Sequence, residues 1–516
     1  MRKKKQLNQW DQWTELPSET PKSKKEKKSF WEILFLPNEK KLKHTNRYMF
    51  LVCLFMVLLF FSMIGYMIRF QLVDSQAIIT NPYNQRTENL KKQIIRGDIL
   101  SADGDVLAKT EIDEEGNETR VYPYDEIFAH VVGFSTHGKG GLESAYNYEL
   151  LTSHTDIMTQ LGNGISSKKN PGDDLVTTLD PTLQERAYEA LDDYQGAIVA
   201  IEPSTGKIRA MVSKPVFNPN DLEEIWADIV NDDSSSVLLN RCTQGLYPPG
   251  STYKVITALE YILEHAQSYE DFRYTCEGKT VVDSVKIKCY EDTEHGKENL
   301  TEAFENSCNT AFVTIGSALD RKKYISLNDA FLFNQKIPGD LSVAKSRFDI
   351  TMKSDKSSLP QTVIGQGNTL MSPLHNALVM CMIANDGVMM KPMLVDKIQS
   401  KDGVTVKRFD PKSIARLEEE DIDSVKAVQQ MLRKVVTDGT GHALQDDDYT
   451  VAGKTGSAEN EKEGAHSWFA GYSNVEDPDL VVCVIAENAG AGSKVAAPIA
   501  KEIFDAYYEE GLDKKY

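Results

Sequence analysis

A serine hydroxyl becomes a nucleophile only when a neighbouring group can take its proton, and Tyr247-Pro-Pro-Gly-Ser251-Thr-Tyr-Lys254 offers such a pair. Pro249 and Gly250 close one segment, and a helix is expected to start at or near Ser251 with Val255, Ile256, Leu259 and Ile262 as its apolar stripe. Three residues along a helix return Lys254 to the face that carries Ser251. The free N–H groups and the positive dipole end of a helix start favour a nucleophile placed there. Alone, Ser-x-x-Lys also reads as an N-cap serine followed by a surface lysine. A second constellation, Ser307-Cys308-Asn309, follows 56 positions after Ser251. Ser307 can relay a proton and Asn309 can hold a substrate amide or the Lys254 amine, although Ser-x-Asn is by itself a common cap or turn. A third, Val451-Ala-Gly-Lys454-Thr455-Gly456-Ser457-Ala458, reads as a strand with a lysine on one face and a glycine where a ligand backbone can approach. Such an edge strand can pair with an extended peptide, or can be a hairpin strand with an exposed lysine.

The elements that must hold these residues are legible as patterns. Asp180 before Pro181 is a helix start of ordinary chemistry. Ala197–Ile201 and Ile208–Val212 are apolar runs joined by Glu202-Pro-Ser-Thr-Gly-Lys207, a hairpin signal. Val451–Ser457, Ser467–Tyr472 and Leu480–Ala486 read as neighbouring strands, and Ala496–Leu512 as an amphipathic helix. Strands at both ends with helical sequence between them predict one antiparallel sheet covered by helices, an α+β (α/β-type) fold.

At 516 residues the chain exceeds one ordinary domain, and its 41% hydrophobic content suffices for sizeable cores. Residues 1–47 carry 13 Lys/Arg against 6 Asp/Glu, whereas the remainder carries 45 against 71. An acidic bulk excludes nucleic acid as a partner, because a phosphate backbone needs a positive face. Tyr48–Ile68 is a run of 21 residues without a charge, long enough to span a bilayer of ~30 Å hydrocarbon thickness. Lys40, Lys41, Lys43 and Arg47 flank it on the N-terminal side, which predicts a cytoplasmic N terminus and an external body. The expected organisation is a basic, largely disordered tail (1–47), a transmembrane helix (48–68), a small membrane-proximal stalk (69–174) and the main domain (175–516). Within the tail, Phe30–Leu36 reads as an interfacial or partner-binding patch.

Seven cysteines are few for an external protein. Cys276 and Cys289 lie 13 residues apart across a strand-like stretch and are the candidate disulfide; the other five read as buried or membrane thiols. No Cys/His spacing matches a zinc motif, so neither metal nor organic cofactor is expected.

Ser-x-x-Lys, Ser-x-Asn and Lys-Thr-Gly, in this order, resemble the signature of penicillin-recognising serine acyltransferases. The surroundings resemble the class B penicillin-binding proteins from residue 48 onward. Ala197–Met211, Arg241 ahead of Tyr247-Pro-Pro-Gly-Ser251, Cys276 to Cys289 with His295-Gly296, Gly365-Gln-Gly367, Pro373 and Ala384-Asn-Asp-Gly387 all match family stretches. Arg96-Gly-Asp-Ile-Leu100 and Asp103-Gly104 resemble its membrane-proximal, dimerisation-like module. The resemblance implies a five-stranded antiparallel sheet and peptidoglycan D,D-transpeptidation of D-Ala-D-Ala stem peptides through Ser251. It also implies acylation of the same serine by β-lactams and a membrane partner, a glycan polymerase of the SEDS type. It assigns Lys254 as base and Ser307 as proton shuttle. Asn309 orients the substrate, Lys454 and Thr455 hold its carboxylate, Gly456 lets it approach, and the backbone N–H groups of Ser251 and Ser457 form the oxyanion hole. D,D-carboxypeptidation, or service mainly as a scaffold that activates the polymerase, are the rival readings.

Overall fold

Apolar runs far apart in sequence pair into one antiparallel sheet, ordered Val451–Glu459, Ala465–Ser473, Val481–Ala486, Gly196–Ile201, Ile208–Lys214. The computed structural model describes residues 44–71, 89–232, 236–460 and 464–515. The central strand Val481–Ala486 is buried on both faces, which explains why it reads as a continuous apolar run instead of alternating. Val482 and Val484 pack with Ile198, Ala200, Leu183, Ile503 and Phe504, the last three from the helices Pro181–Ala190 and Ala496–Glu509. Val481, Cys483 and Ile485 belong to the opposite core, with Val199 and the residues of Pro373–Ala384. Every residue of that helix is buried, as expected of a helix apolar all round. Each fully buried Val, Leu or Ile contributes about 1.5–3 kcal/mol, so the two helix layers hold the sheet, and hence the Lys454 strand, in place. The expected helix start is present: the Asp180 carboxylate accepts from Leu183 N at 2.9 Å, with Pro181 in the first turn.

The stalk is built on a second sheet whose order is Thr405–Arg408, Val395–Gln399, Asp174–Thr177, Ile99–Leu100, Val106–Ile112, Glu118–Val121. Two of its six strands come from beyond residue 390, so the expected boundary between 174 and 175 cuts a strand. Leu175 pairs with Ile99 on one side and Ile398 on the other. Stalk and main domain accordingly fall in one compact unit, Ala77–Tyr516. Gly97 lies where a Cβ would stand 2.0 Å from the Asp173 carbonyl oxygen, so only glycine permits this approach.

A buried ionic knot ties the stalk together. Glu143, fully buried, accepts from Arg96 Nε at 2.5 Å and Arg120 Nε at 2.7 Å, and Arg96 also donates to Asn147 Oδ1 at 2.7 Å. Glu143→Ala would strand two guanidinium groups in a site with little water. Its expected cost is about 3–5 kcal/mol, read as a lower denaturant midpoint.

The other unit, Met1–Gln76, contains the helix His44–Arg69. Its span Met49–Arg69 is the single helix among the described residues long and apolar enough to cross a membrane. The basic tail up to residue 43, with the segment 30–36, lies outside the described residues.

Candidate active site

Ser251 stands in a one-turn 3-10 helix, Gly250–Tyr253, which runs into the α-helix Lys254–Glu264. The nucleophile candidate thus sits just ahead of the α-helix, and Val255, Ile256, Leu259 and Ile262 are buried as the stripe predicts. Several contacts hold the turn rigidly. Trp468 Nε1 donates to Pro248 O at 3.0 Å, Thr252 Oγ1 to Pro249 O at 2.8 Å, and Asn376 Nδ2 to Thr252 Oγ1 at 3.1 Å. Glu487 accepts from both Arg241 Nε and Tyr247 OH at 2.7 Å, which ties the approach segment to the end of the central strand. Gly250 N donates to Gly365 O at 2.9 Å. A Cβ on Gly365, whose φ is +72°, would stand 2.1 Å from Gly250 O, so the Gly-Gln-Gly segment is a backing plate for the Ser251 turn.

Lys254 is fully buried, and its ammonium donates to Ser307 O at 2.7 Å, Ser307 Oγ at 3.3 Å and Asn309 Oδ1 at 2.7 Å. Ser307 adopts φ +57°, a left-handed conformation unusual for a side chain and typical of strained functional sites. Its neighbours fix it: Cys308 N donates to Ala303 O at 2.8 Å and Ser307 N to Phe304 O at 3.1 Å. Among the described residues, no hydrogen bond joins Lys254 Nζ to Ser251 Oγ.

The strand Val451–Glu459 is the edge of the five-stranded sheet and forms one wall of the site. Its Gly456 is where a Cβ would come within 3.2 Å of Thr252 N, so the strand lies directly against the Ser251 turn. Ser251, Ser307, Asn309, Thr455, Gly456 and Ser457 line one cleft of about 990 Å³. Lys454 is fully buried on the strand face it shares with Gly456, with Nζ donating to Thr455 O at 3.2 Å and lying 5.7 Å from the Phe304 ring centre.

Burial drives the electrostatics. Desolvation lowers the Lys254 pKa to about 8, partly opposed by the Cys308, Cys289 and Glu298 charges. The Lys454 amine is pushed well below its usual range, first by desolvation and then by the Lys254 charge. Of the two buried amines, Lys254 has three oxygen acceptors for its protons and Lys454 one, so Lys254 is the better placed to carry the charge.

Two features escaped the sequence reading. Thr440, between Gly439 and Gly441, lines the cleft and shares a 2.6 Å hydrogen bond with Thr455 Oγ1; only its flanking glycines hinted at a tight approach. The stretch between Cys276 and Cys289 is a complete hairpin, Lys279–Val282 with Val285–Lys288, turned by Asp283 and Ser284 at φ +47° and +69°. The two sulfurs of the candidate disulfide lie 3.6 Å apart, and His295 and Cys308 join them in one cluster.

Residues 196–505 match the family model described as the penicillin binding protein transpeptidase domain, and residues 96–175 the penicillin binding protein A dimerisation domain. The peptidoglycan D,D-transpeptidase PbpA of Mycolicibacterium smegmatis is 30% identical over 471 residues, covering 86% of this chain and 94% of that protein. An imipenem acyl-enzyme complex of penicillin-binding protein A from M. tuberculosis superposes with a TM-score of 0.73 at 28% identity, covering 81% and 99% of the two chains. A D,D-transpeptidase domain from Eggerthella lenta gives the same TM-score at 30% identity, with 81% and 99% covered.

Proposed function

The chain belongs to the class B penicillin-binding proteins and is a serine-type peptidoglycan D,D-transpeptidase; from that premise we propose that Ser251 carries its acyl-enzyme. The observation that supports this assignment most directly is the Lys254 ammonium, buried one helical turn from Ser251 and bonded to both residues of the Ser-x-Asn motif.

Neutral Lys254 takes the Ser251 proton as Oγ attacks the penultimate D-Ala carbonyl of a stem peptide. Backbone N–H groups of Ser251 and Ser457 stabilise the oxyanion, where developing charge rewards preset donors most. Collapse breaks the C–N bond, and the proton held by Lys254 passes through Ser307 to the departing D-Ala amine. An amine of a second stem peptide then attacks the ester and returns the proton to Ser251. Asn309 orients the donor peptide, whose backbone extends along the exposed edge of Val451–Glu459. The donor carboxylate meets the Thr455 and Thr440 hydroxyls in the cleft, with Lys454 acting from its buried place beside Thr455 on the same strand. A β-lactam enters the same path and stops at the acyl-enzyme. The apolar helix anchors the chain, the cationic flank holds its N terminus in the cytoplasm, and a SEDS-type glycan polymerase is the membrane partner.

The decisive measurement is intact-mass analysis of the full-length chain after penicillin treatment. One adduct is expected, mapped to the peptide that contains Ser251; an adduct on another serine would sink the assignment. A defined stem peptide with an acceptor amine should give cross-linked dimers in excess of trimmed monomers, whereas the reverse would favour carboxypeptidation.

The Lys254 shift also sets a pH dependence. The base works only when neutral, so at pH 7 about a tenth of it is competent for a pKa about 8. The acylation rate is therefore expected to rise about tenfold per pH unit below pH 8 and to level off above it. A stopped-flow profile that is flat from pH 6 to 9 would remove Lys254 as base.

A further inference from the structure

The short strand Gly296–Glu298 ends on a buried carboxylate just before the helix Leu300–Glu305. Asn299 fixes that junction: its side chain accepts from Glu302 N at 2.9 Å, and its own N donates to Glu302 Oε2 at 2.7 Å. On the other side Glu298 stands in register with Tyr274 of the paired strand Tyr274–Cys276. Glu298 is only 2% exposed. Its Oε1 accepts from Asn306 Nδ2 at 3.0 Å, and its Oε2, also buried, has no hydrogen-bond partner among the described residues. A carboxylate placed in this way costs free energy unless a cation near it compensates. Asn306 is the residue before Ser307, and Ser307 O and Oγ both accept from the fully buried Lys254 Nζ.

We propose that Glu298 is a positioning residue for acyl transfer: through Asn306 it fixes the Ser307 loop that holds Lys254, and its buried carboxylate is the counter-charge to the Lys254 ammonium. The inference rests on the assignment of Lys254 as the base. It adds a residue that lies outside the three motifs and, unlike Ser307 and Asn309, touches neither Lys254 nor the cleft.

Two effects meet at this residue. The first is mechanical. Ser307 keeps its left-handed φ of +57° only because its surroundings impose it. Asn306 is held at the backbone, where its N donates to Glu302 O at 3.0 Å, and at the side chain by Glu298. The second effect is electrostatic. Desolvation lowers the Lys254 pKa, and the Glu298 charge opposes that fall together with Cys308 and Cys289. The carboxylate thus helps a buried ammonium keep its proton between turnovers and sets the pH at which the base is released. The remaining titratable groups around the pair are Lys454, His295, Tyr274, Glu302 and Glu305. A change confined to Glu298 leaves all of them in place.

The test is the rate at which fluorescent penicillin acylates the full-length chain in detergent, followed by stopped flow from pH 6 to 9. Glu298→Gln keeps the side-chain volume and an oxygen for Asn306 but removes the charge. Without that charge the Lys254 pKa falls, so the rise in rate should move to lower pH. The rate at pH 7, taken as a fraction of each protein's own plateau, should increase at least about twofold. Glu298→Asp keeps the charge but withdraws it from Asn306, so the midpoint should stay near the parental one while the plateau falls. Asn306→Ala, which leaves Glu298 itself untouched, should lower the plateau as well. A merely structural residue would change plateau or melting temperature and leave the midpoint where it was. A Glu298→Gln profile that superposes on the parental one after scaling would overturn the proposal, and so would parental plateaus in both other variants. A flat parental profile would instead sink Lys254 as base and take this proposal with it, so the two failures are told apart.

Discussion

The Ser251→Ala variant is expected to leave no covalent band with fluorescent penicillin, at any time or concentration at which the parent chain labels fully. The loss is total because no other hydroxyl shares the position. Ser307, the nearest rival in the cleft, has its Oγ engaged by Lys254 and its backbone locked in a left-handed conformation. Cross-linking turnover should fall with it, by ~10⁶ on the scale of serine enzymes that lose their nucleophile. The fold should not change, because Ser251 is half-buried and its side chain joins none of the contacts that hold the turn, which run through Gly250, Thr252, Tyr247 and Trp468. Thermal melting of the variant within a degree or two of the parent would separate lost chemistry from lost structure. A persisting adduct would place the nucleophile elsewhere.

Lys254→Met should produce the second largest effect, by a different route. Methionine fills nearly the same buried volume but cannot accept a proton. Acylation is expected to slow by about 10²–10⁴, the usual worth of a positioned general base. The residual rate should also lose its rise towards pH 8, since the titrating group is gone. Stability should respond less than rate. Removing a buried charge relieves its desolvation, while Ser307 O and Asn309 Oδ1 lose their donor, and the two changes oppose each other. A variant that folds, acylates slowly and shows a flat pH profile supports the base. Acylation at the parental rate would assign Lys254 to structure alone.

Much of this site is legible in the residues because its parts are local. Lys254 follows Ser251 by one helical turn, and Thr455, Gly456 and Ser457 lie on one strand, so motif and geometry coincide. The five-stranded sheet is equally readable, since each of its strands is a distinct apolar run. Long-range features fare worse. Nothing near residue 395 announces that Val395–Gln399 pairs with Asp174–Thr177, because a short strand with only Val395 and Ile398 buried suits either sheet or an isolated hairpin. Thr440 carries no signature of its own. The Cys3His cluster hides for a related reason: its members are separated by 13, 6 and 13 positions, and a fold, not a spacing rule, brings them together. Nor can sequence show which of the two buried amines, Lys254 or Lys454, holds the larger set of acceptors.

The stalk sheet carries a consequence for the order of assembly. Its middle strand, Asp174–Thr177, must wait for a neighbour made more than two hundred residues later, and the edge strand Thr405–Arg408 later still. A nascent chain growing at roughly 5–20 residues per second passes tens of seconds with that edge bare. Loop closure over such a span is slow as well as late. This sheet, although its first strands are made early, is thus among the last parts to finish, and the newborn protein is most open to proteases and strand-swapping partners at that bare edge.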